Sequence, residues 1–90
     1  MKFEVLISET AVKRLSKIEE QDKLKQRIAF LGEDPFKPRP LVDIKKLKGF
    51  SNPSIYRLRV GDFRVIYTVE DETVKVTDIF RRGKGYKWLD

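Results

Sequence analysis

Residues 55–69 read IYRLRVGDFRVIYTV, two β-prone runs on either side of Gly61-Asp62. Glycine at the first of two loop positions is what a type II′ turn requires, and such a turn joins two antiparallel strands directly. With Gly61 and Asp62 as the loop, Val60 pairs with Phe63, Leu58 with Val65 and Tyr56 with Tyr67. Side chains alternate along a strand, so these six share one face. That face is apolar and aromatic throughout and demands a cover. The opposite face carries Arg57, Arg59, Arg64, Ile66 and Thr68, with Arg59 directly across from Arg64. Like charges at facing positions destabilise a sheet. The arginine face therefore predicts a partner outside the hairpin that makes it worthwhile.

The cover is expected upstream. Phe3, Val5 and Ile7 alternate with Lys2, Glu4 and Leu6, the pattern of a first strand. Ser8 or Thr10 can cap a helix whose apolar stripe is Ala11, Val12, Leu15 and Ile18. A polar turn over Glu19–Lys23 follows, then a second stripe at Leu24, Ile28 and Leu31, which suits a helix of about ten residues ending at Gly32. These two segments read as an antiparallel helical hairpin. Residues 33–40, EDPFKPRP, cannot continue a helix and form a linker too short to separate domains. Leu41–Lys48 holds a short strand with Ile44 and Leu47, and a last strand runs from Thr73 to Arg81 after a turn at residues 70–72. Helices gathered at one end and strands at the other predict an α+β fold. The expectation is one domain over residues 1–90: an N-terminal strand, the helical hairpin, then a mainly antiparallel twisted sheet.

The last strand is less determined. With Asp71-Glu72 at the turn tip, Phe63 faces Phe80 and Arg64 faces Ile79. Strict alternation then puts Arg81 on the arginine face and Arg82 on the core face. It also puts Asp78 beside Val65 in the core, which is unfavourable unless the carboxylate is paired. A bulge near Asp78 would exchange the faces. Alternation alone leaves Arg81 and Arg82 both open.

Charge points to the kind of partner. Residues 1–36 hold seven Lys/Arg and seven Asp/Glu, whereas residues 37–90 hold thirteen against seven, so the whole net charge of +6 lies in the second part. A basic region confined to one part of a chain favours a polyanion such as nucleic acid, although it also serves as a solubilising surface. The chain has no Cys and no His, which removes thiolate metal sites and the commonest acid–base side chain. No apolar run approaches a membrane span and no signal-peptide pattern opens the chain, so neither membrane nor cofactor is expected and a cytoplasmic protein is the default. At least four guanidiniums are expected to share one patch with a nearby tyrosine. Guanidinium offers phosphate bidentate contacts, and cleavage of RNA by its own 2′-OH needs mainly positive groups around the phosphate.

The segments LKG at 47–49, YRLRVGDFRVIYTV at 56–69 and RRGKGYK at 81–87 resemble the RelE/ParE superfamily of type II toxins over nearly the whole chain. The resemblance implies a RelE-like microbial ribonuclease fold. RelE-like members are ribosome-dependent endoribonucleases that cut mRNA in the decoding site, whereas ParE-like members inhibit DNA gyrase. Alternating basic residues before the turn match Arg57 and Arg59, the basic residue after the aromatic matches Arg64, and the closing segment matches Arg82 and Tyr86. This matching favours the nuclease branch, and it favours Arg82 over Arg81 with the bulge that requires. The implied catalytic set is Arg57, Arg59, Arg64, Arg82 and Tyr86, with no metal. Lys45, Lys46, Lys48, Arg81, Lys84 and Lys87 are the expected RNA contacts. Some members have lysine at the alternating positions, one of them proposed as a general base. Arginine is a poor base because its pKa stays above about 12, so the four arginines would hold the phosphate. Tyr86 is one candidate for proton transfer, Lys84 and Lys48 are weaker ones, and the general base stays open. The implied partners are a RelB-like antitoxin, with a toxin–antitoxin heterotetramer as one assembly, and the ribosome with its mRNA. The added C-terminal helix of some members is not expected, since the chain stops soon after Trp88-Leu89. The alternatives are a ParE-like gyrase inhibitor and a basic RNA-binding module without catalysis.

Overall fold

Glycine does at position 61 what the hairpin asks of it. Gly61 takes φ +57° while Asp62 stays at negative φ, and the pairs Val60–Phe63, Leu58–Val65 and Tyr56–Tyr67 all form. The computed structural model describes residues 2–47, 49 and 53–83. Its elements are β1 (Glu4–Ile7), α1 (Glu9–Ser16), α2 (Gln21–Phe30), β2 (Asp43–Lys46), β3 (Ile55–Val60), β4 (Phe63–Glu70) and β5 (Thr73–Arg81). They form one sheet in the order β1-β5-β4-β3-β2, antiparallel except for the parallel β1–β5 pair. This is the expected α+β architecture, mainly antiparallel. The larger core lies between the sheet and the helices, where Ala11, Leu15, Leu24 and Ile28 meet Leu58, Val60, Phe63, Val65 and Tyr67.

Ser8 starts α1, its Oγ accepting the Ala11 N–H at 3.1 Å. Val12 departs from the expected stripe and is 49% exposed, because the short helix presents only Ala11 and Leu15 fully to the sheet. Gly32 ends the helical region for a different reason from the one expected. Its φ is not positive; instead a Cβ there would stand 3.3 Å from the Phe3 carbonyl oxygen and 3.3 Å from Val5 Cγ2, so glycine allows the chain to pass against β1. The linker is ordered by its own polar groups. Asp34 Oδ1 accepts the Phe36 and Lys37 N–H groups, and Arg39 donates to the carbonyls of Asp34, Lys37 and Phe30. Those backbone donors hold the Asp34 carboxyl below its ordinary pKa.

Beyond Tyr67 the β4–β5 register differs from strict alternation. Tyr67 pairs with Val76 but Ile66 pairs with Asp78, so Thr77 is an extra residue: a β-bulge. Phe63 therefore faces Arg81 and Arg64 faces Phe80, one residue further along than alternation predicts. The physical reason is Asp78. The bulge takes its carboxylate out of the row opposite Val65 and brings in Ile79, which is fully buried in the core.

Candidate functional site

The outer face of the sheet is built by alternation. β3 contributes Ile55, Arg57 and Arg59, β4 contributes Arg64, Ile66 and Thr68, and Arg59 stands directly across from Arg64 as expected. Past the bulge the same alternation brings Phe80 to this face and places Arg82 just beyond it, with the Arg82 N–H bonded to the Asp62 carbonyl at 2.6 Å. Arg57, Arg59, Arg64 and Arg82 line one cavity of about 280 Å³ beside the Gly61-Asp62 turn. Leu47, Ile66 and Phe80 pack together with Ile55 into an apolar cluster on the same face. Apolar surroundings make the field of nearby cations stronger than it would be in water.

The four arginines are not equivalent. Arg64 is only 3% exposed, and its Nη1 donates to the Gly61 and Phe63 carbonyls, each at 3.1 Å. It braces the turn while contributing charge to the cavity. Arg57 is nearly buried and has Asp43 Oδ1 3.8 Å from Nη1. Arg59 and Arg82 are exposed. Two guanidiniums are thus held by the fold and two face solvent.

The remaining candidates divide. Lys45 pairs with Arg57 and shares the arginine face, whereas Lys46 pairs with Tyr56 and belongs to the helix face. Arg81 also leaves the cluster, its guanidinium lying 4.7 Å over the Phe63 ring. It lines a larger cleft of about 940 Å³ together with Arg14, Lys17, Glu19 and Glu20. That cleft has greater volume, but its three cations stand beside two carboxylates, whereas the smaller cavity is lined by guanidiniums alone. Tyr86, Lys48, Lys84 and Lys87 lie outside the described residues. Two features escaped the sequence reading: the carbonyl contacts of Arg64, and Arg14 as the partner of Asp78, with Nε 3.1 Å from Oδ1. The first left no sequence signal. The second left a partial one, the spacing Val74, Val76, Ile79, in which a period of two gives way to three.

A small mixed sheet covered on one face by two helices, with clustered guanidiniums on the other, defines an α+β protein with a basic sheet face. Comparison with known proteins gives the family. A match to the ParE toxin family, described as the ParE toxin of type II toxin-antitoxin system, parDE, spans residues 5–86. RelE1 of Methanocaldococcus jannaschii is 37% identical over 97% of this chain and 98% of its own. The archaeal RelE–RelB complex of Pyrococcus horikoshii OT3 contains a chain that superposes with a TM-score of 0.79 at 31% identity, covering 94% of this chain and all of that one. The RelB–RelE antitoxin–toxin complex of Methanococcus jannaschii gives 0.71 at 26% identity, covering 94% of this chain and 99% of that one. The chain belongs to the RelE/ParE family of type II toxin–antitoxin toxins, with RelE proteins among its relatives.

Proposed function

We infer that this protein is a ribosome-dependent endoribonuclease that cuts mRNA in the decoding site and so stops translation. The convergence of Arg57, Arg59, Arg64 and Arg82 on one cavity carries this reading. In the reaction the 2′-oxygen attacks the adjacent phosphorus as it gives up its proton. The bond to the 5′-oxygen breaks, and that oxygen takes up a proton. The products are a 2′,3′-cyclic phosphate and a 5′-hydroxyl. Negative charge builds on the phosphoryl oxygens, and fixed guanidiniums stabilise it in the role a Lewis acid fills elsewhere. Arg64, held by two carbonyls, is oriented before substrate arrives. Arg59 and Arg82 close on the phosphate, and Tyr86 is assigned the proton transfer. Lys45 extends the basic face toward the RNA backbone. An antitoxin of RelB type is the expected partner, because the similar RelE chains of Pyrococcus and Methanococcus are found with RelB. A heterotetramer with it and action in the cytoplasm complete the proposal.

Primer extension on mRNA from translating ribosomes tests it. The expected result is cuts at codon-phased positions, lost with Arg82→Gln and kept with the distant surface variant Lys13→Gln. Intact mRNA together with blocked DNA supercoiling would sink the nuclease and favour gyrase inhibition, a reading that the ParE family match keeps open.

A further inference from the structure

The bulge decides which arginine enters the site, and its own contacts show what holds it. β1 pairs with β5 only as far as Val76, and the chain then leaves the sheet at Ser8. The Ser8 N–H donates to the Val76 carbonyl at 2.9 Å, and its Oγ donates to the Thr77 carbonyl at 2.9 Å while capping α1. Thr77 Oγ1 donates to the Ile66 carbonyl at 3.3 Å. Asp78 Oδ1 accepts the Ile79 N–H at 2.8 Å and meets Arg14 Nε at 3.1 Å. The extra residue is thus tied to β1, to β4 and to α1.

Without the bulge, every residue from 78 onward would change face, since a slip of one residue inverts a strand. Position 78 would face Val65 in the core, Phe80 would face Phe63, and Arg81 would take the place of Arg82. The apolar residues do not forbid this arrangement. Val74, Val76 and Phe80 fit its core row at a spacing of two, Ile79 would exchange places with Phe80, and the misfit inside the row is the carboxylate of Asp78. Buried without its partner, a carboxylate is costly. In the bulged register the same group is ion-paired and covers a backbone donor that β1 no longer reaches. Asp78 therefore disfavours one register and favours the other.

We propose that Asp78 is a positioning residue, a register lock that, with Arg14 and Ser8, places Arg82 instead of Arg81 among the site guanidiniums. The proposal rests on the anion-site reading for its consequence but not for its geometry, so the experiment reads the two separately. Cross-strand NMR contacts between β4 and β5 report register, and titration with inorganic phosphate, followed at the arginine Nε–Hε signals, reports which arginine meets the anion. In the unaltered protein and in Asp78→Asn, which keeps a polar acceptor, residue 78 should contact Ile66, and Arg82 should respond to phosphate. In Asp78→Val, position 78 should contact Val65, the response should pass to Arg81, and affinity read at Arg82 should fall about tenfold, as loss of one charged contact implies. A transfer of response from one arginine to its neighbour is not what simple destabilisation produces. If Asp78→Val does not fold, Asp78→Ala serves, with both sets of contacts expected in exchange. A folded Asp78→Val or Asp78→Ala that keeps the Ile66 contact alone, with Arg82 responding as before, overturns the lock. Absence of any phosphate response in the unaltered protein would instead refute the anion site, and the strand contacts would still decide the register.

Discussion

Arg64 faces Arg59 across the hairpin, and facing like charges suggest that neutralising either would relieve repulsion. The geometry separates the two. Arg59 is exposed, so Arg59→Gln should leave stability unchanged or raise it slightly. Arg64 gives two hydrogen bonds to turn carbonyls from a buried position. Hydrogen bonds to charged groups contribute about 1.5–3 kcal/mol, so Arg64→Gln should lower the unfolding free energy by an amount of that order in urea titration. Both variants should slow single-turnover cleavage at saturating ribosome, by roughly a hundred- to a thousand-fold if each donates to the developing charge. Arg59 is the cleaner probe, because its defect cannot be ascribed to folding. A normal single-turnover rate for Arg59→Gln would show that this guanidinium binds without acting in the reaction.

Among the elements, the linker of residues 33–40 is fastened to the sheet by aromatic side chains. Tyr67 is fully buried and its hydroxyl donates to the Pro35 carbonyl at 2.7 Å. Tyr56 stacks on Tyr67 with centroids 5.4 Å apart, Phe36 meets Tyr56 edge-on, and Phe3 meets Phe36. Tyr67→Phe keeps the stack but leaves a carbonyl without its donor, at a cost of about 1–3 kcal/mol. Burial, reinforced by Tyr56, pushes the Tyr67 phenol above its ordinary pKa of 10.0. Its contribution is therefore complete below pH 10 and declines as pH rises further, where the unfolded chain ionises first. Above that pH, stability should fall less steeply in Tyr67→Phe than in the unaltered protein. Leu58→Ala, at the centre of the β3 core row, should cost about 2–5 kcal/mol. The hairpin was legible in the sequence because a period of two and a glycine turn together specify one register. The end of β5 was not, because one inserted residue inverts everything after it, and the carboxylate that stabilises the insertion finds its partner on α1. Arg64 was legible as to face only, since alternation gives the side of a strand and not the path of a long side chain.

For the whole molecule, charge and fold divide the chain in the same way. The N-terminal residues 1–36, which include β1 and both helices, are neutral in sum, and the excess of six positive charges belongs to residues 37–90. The sheet turns its apolar face to the two helices and gathers guanidiniums on the other. Such an arrangement attracts a polyanion from a distance and releases counterions on contact. For single-stranded RNA the slope of log K against log salt is about −0.7 for each phosphate neutralised. If the cavity and its rim engage three to four phosphates, the slope should lie between about −2 and −3. This can be measured by fluorescence anisotropy with a 2′-O-methylated oligonucleotide, which binds but cannot be cut. Arg59→Gln should reduce the slope by about 0.7, while Lys13→Gln on α1 should leave it unchanged. Equal losses from the two variants would mean that RNA meets a diffuse positive surface and not the cavity. A slope near zero would direct attention away from nucleic acid altogether, because an anion held by four guanidiniums without release of salt is not physically reasonable.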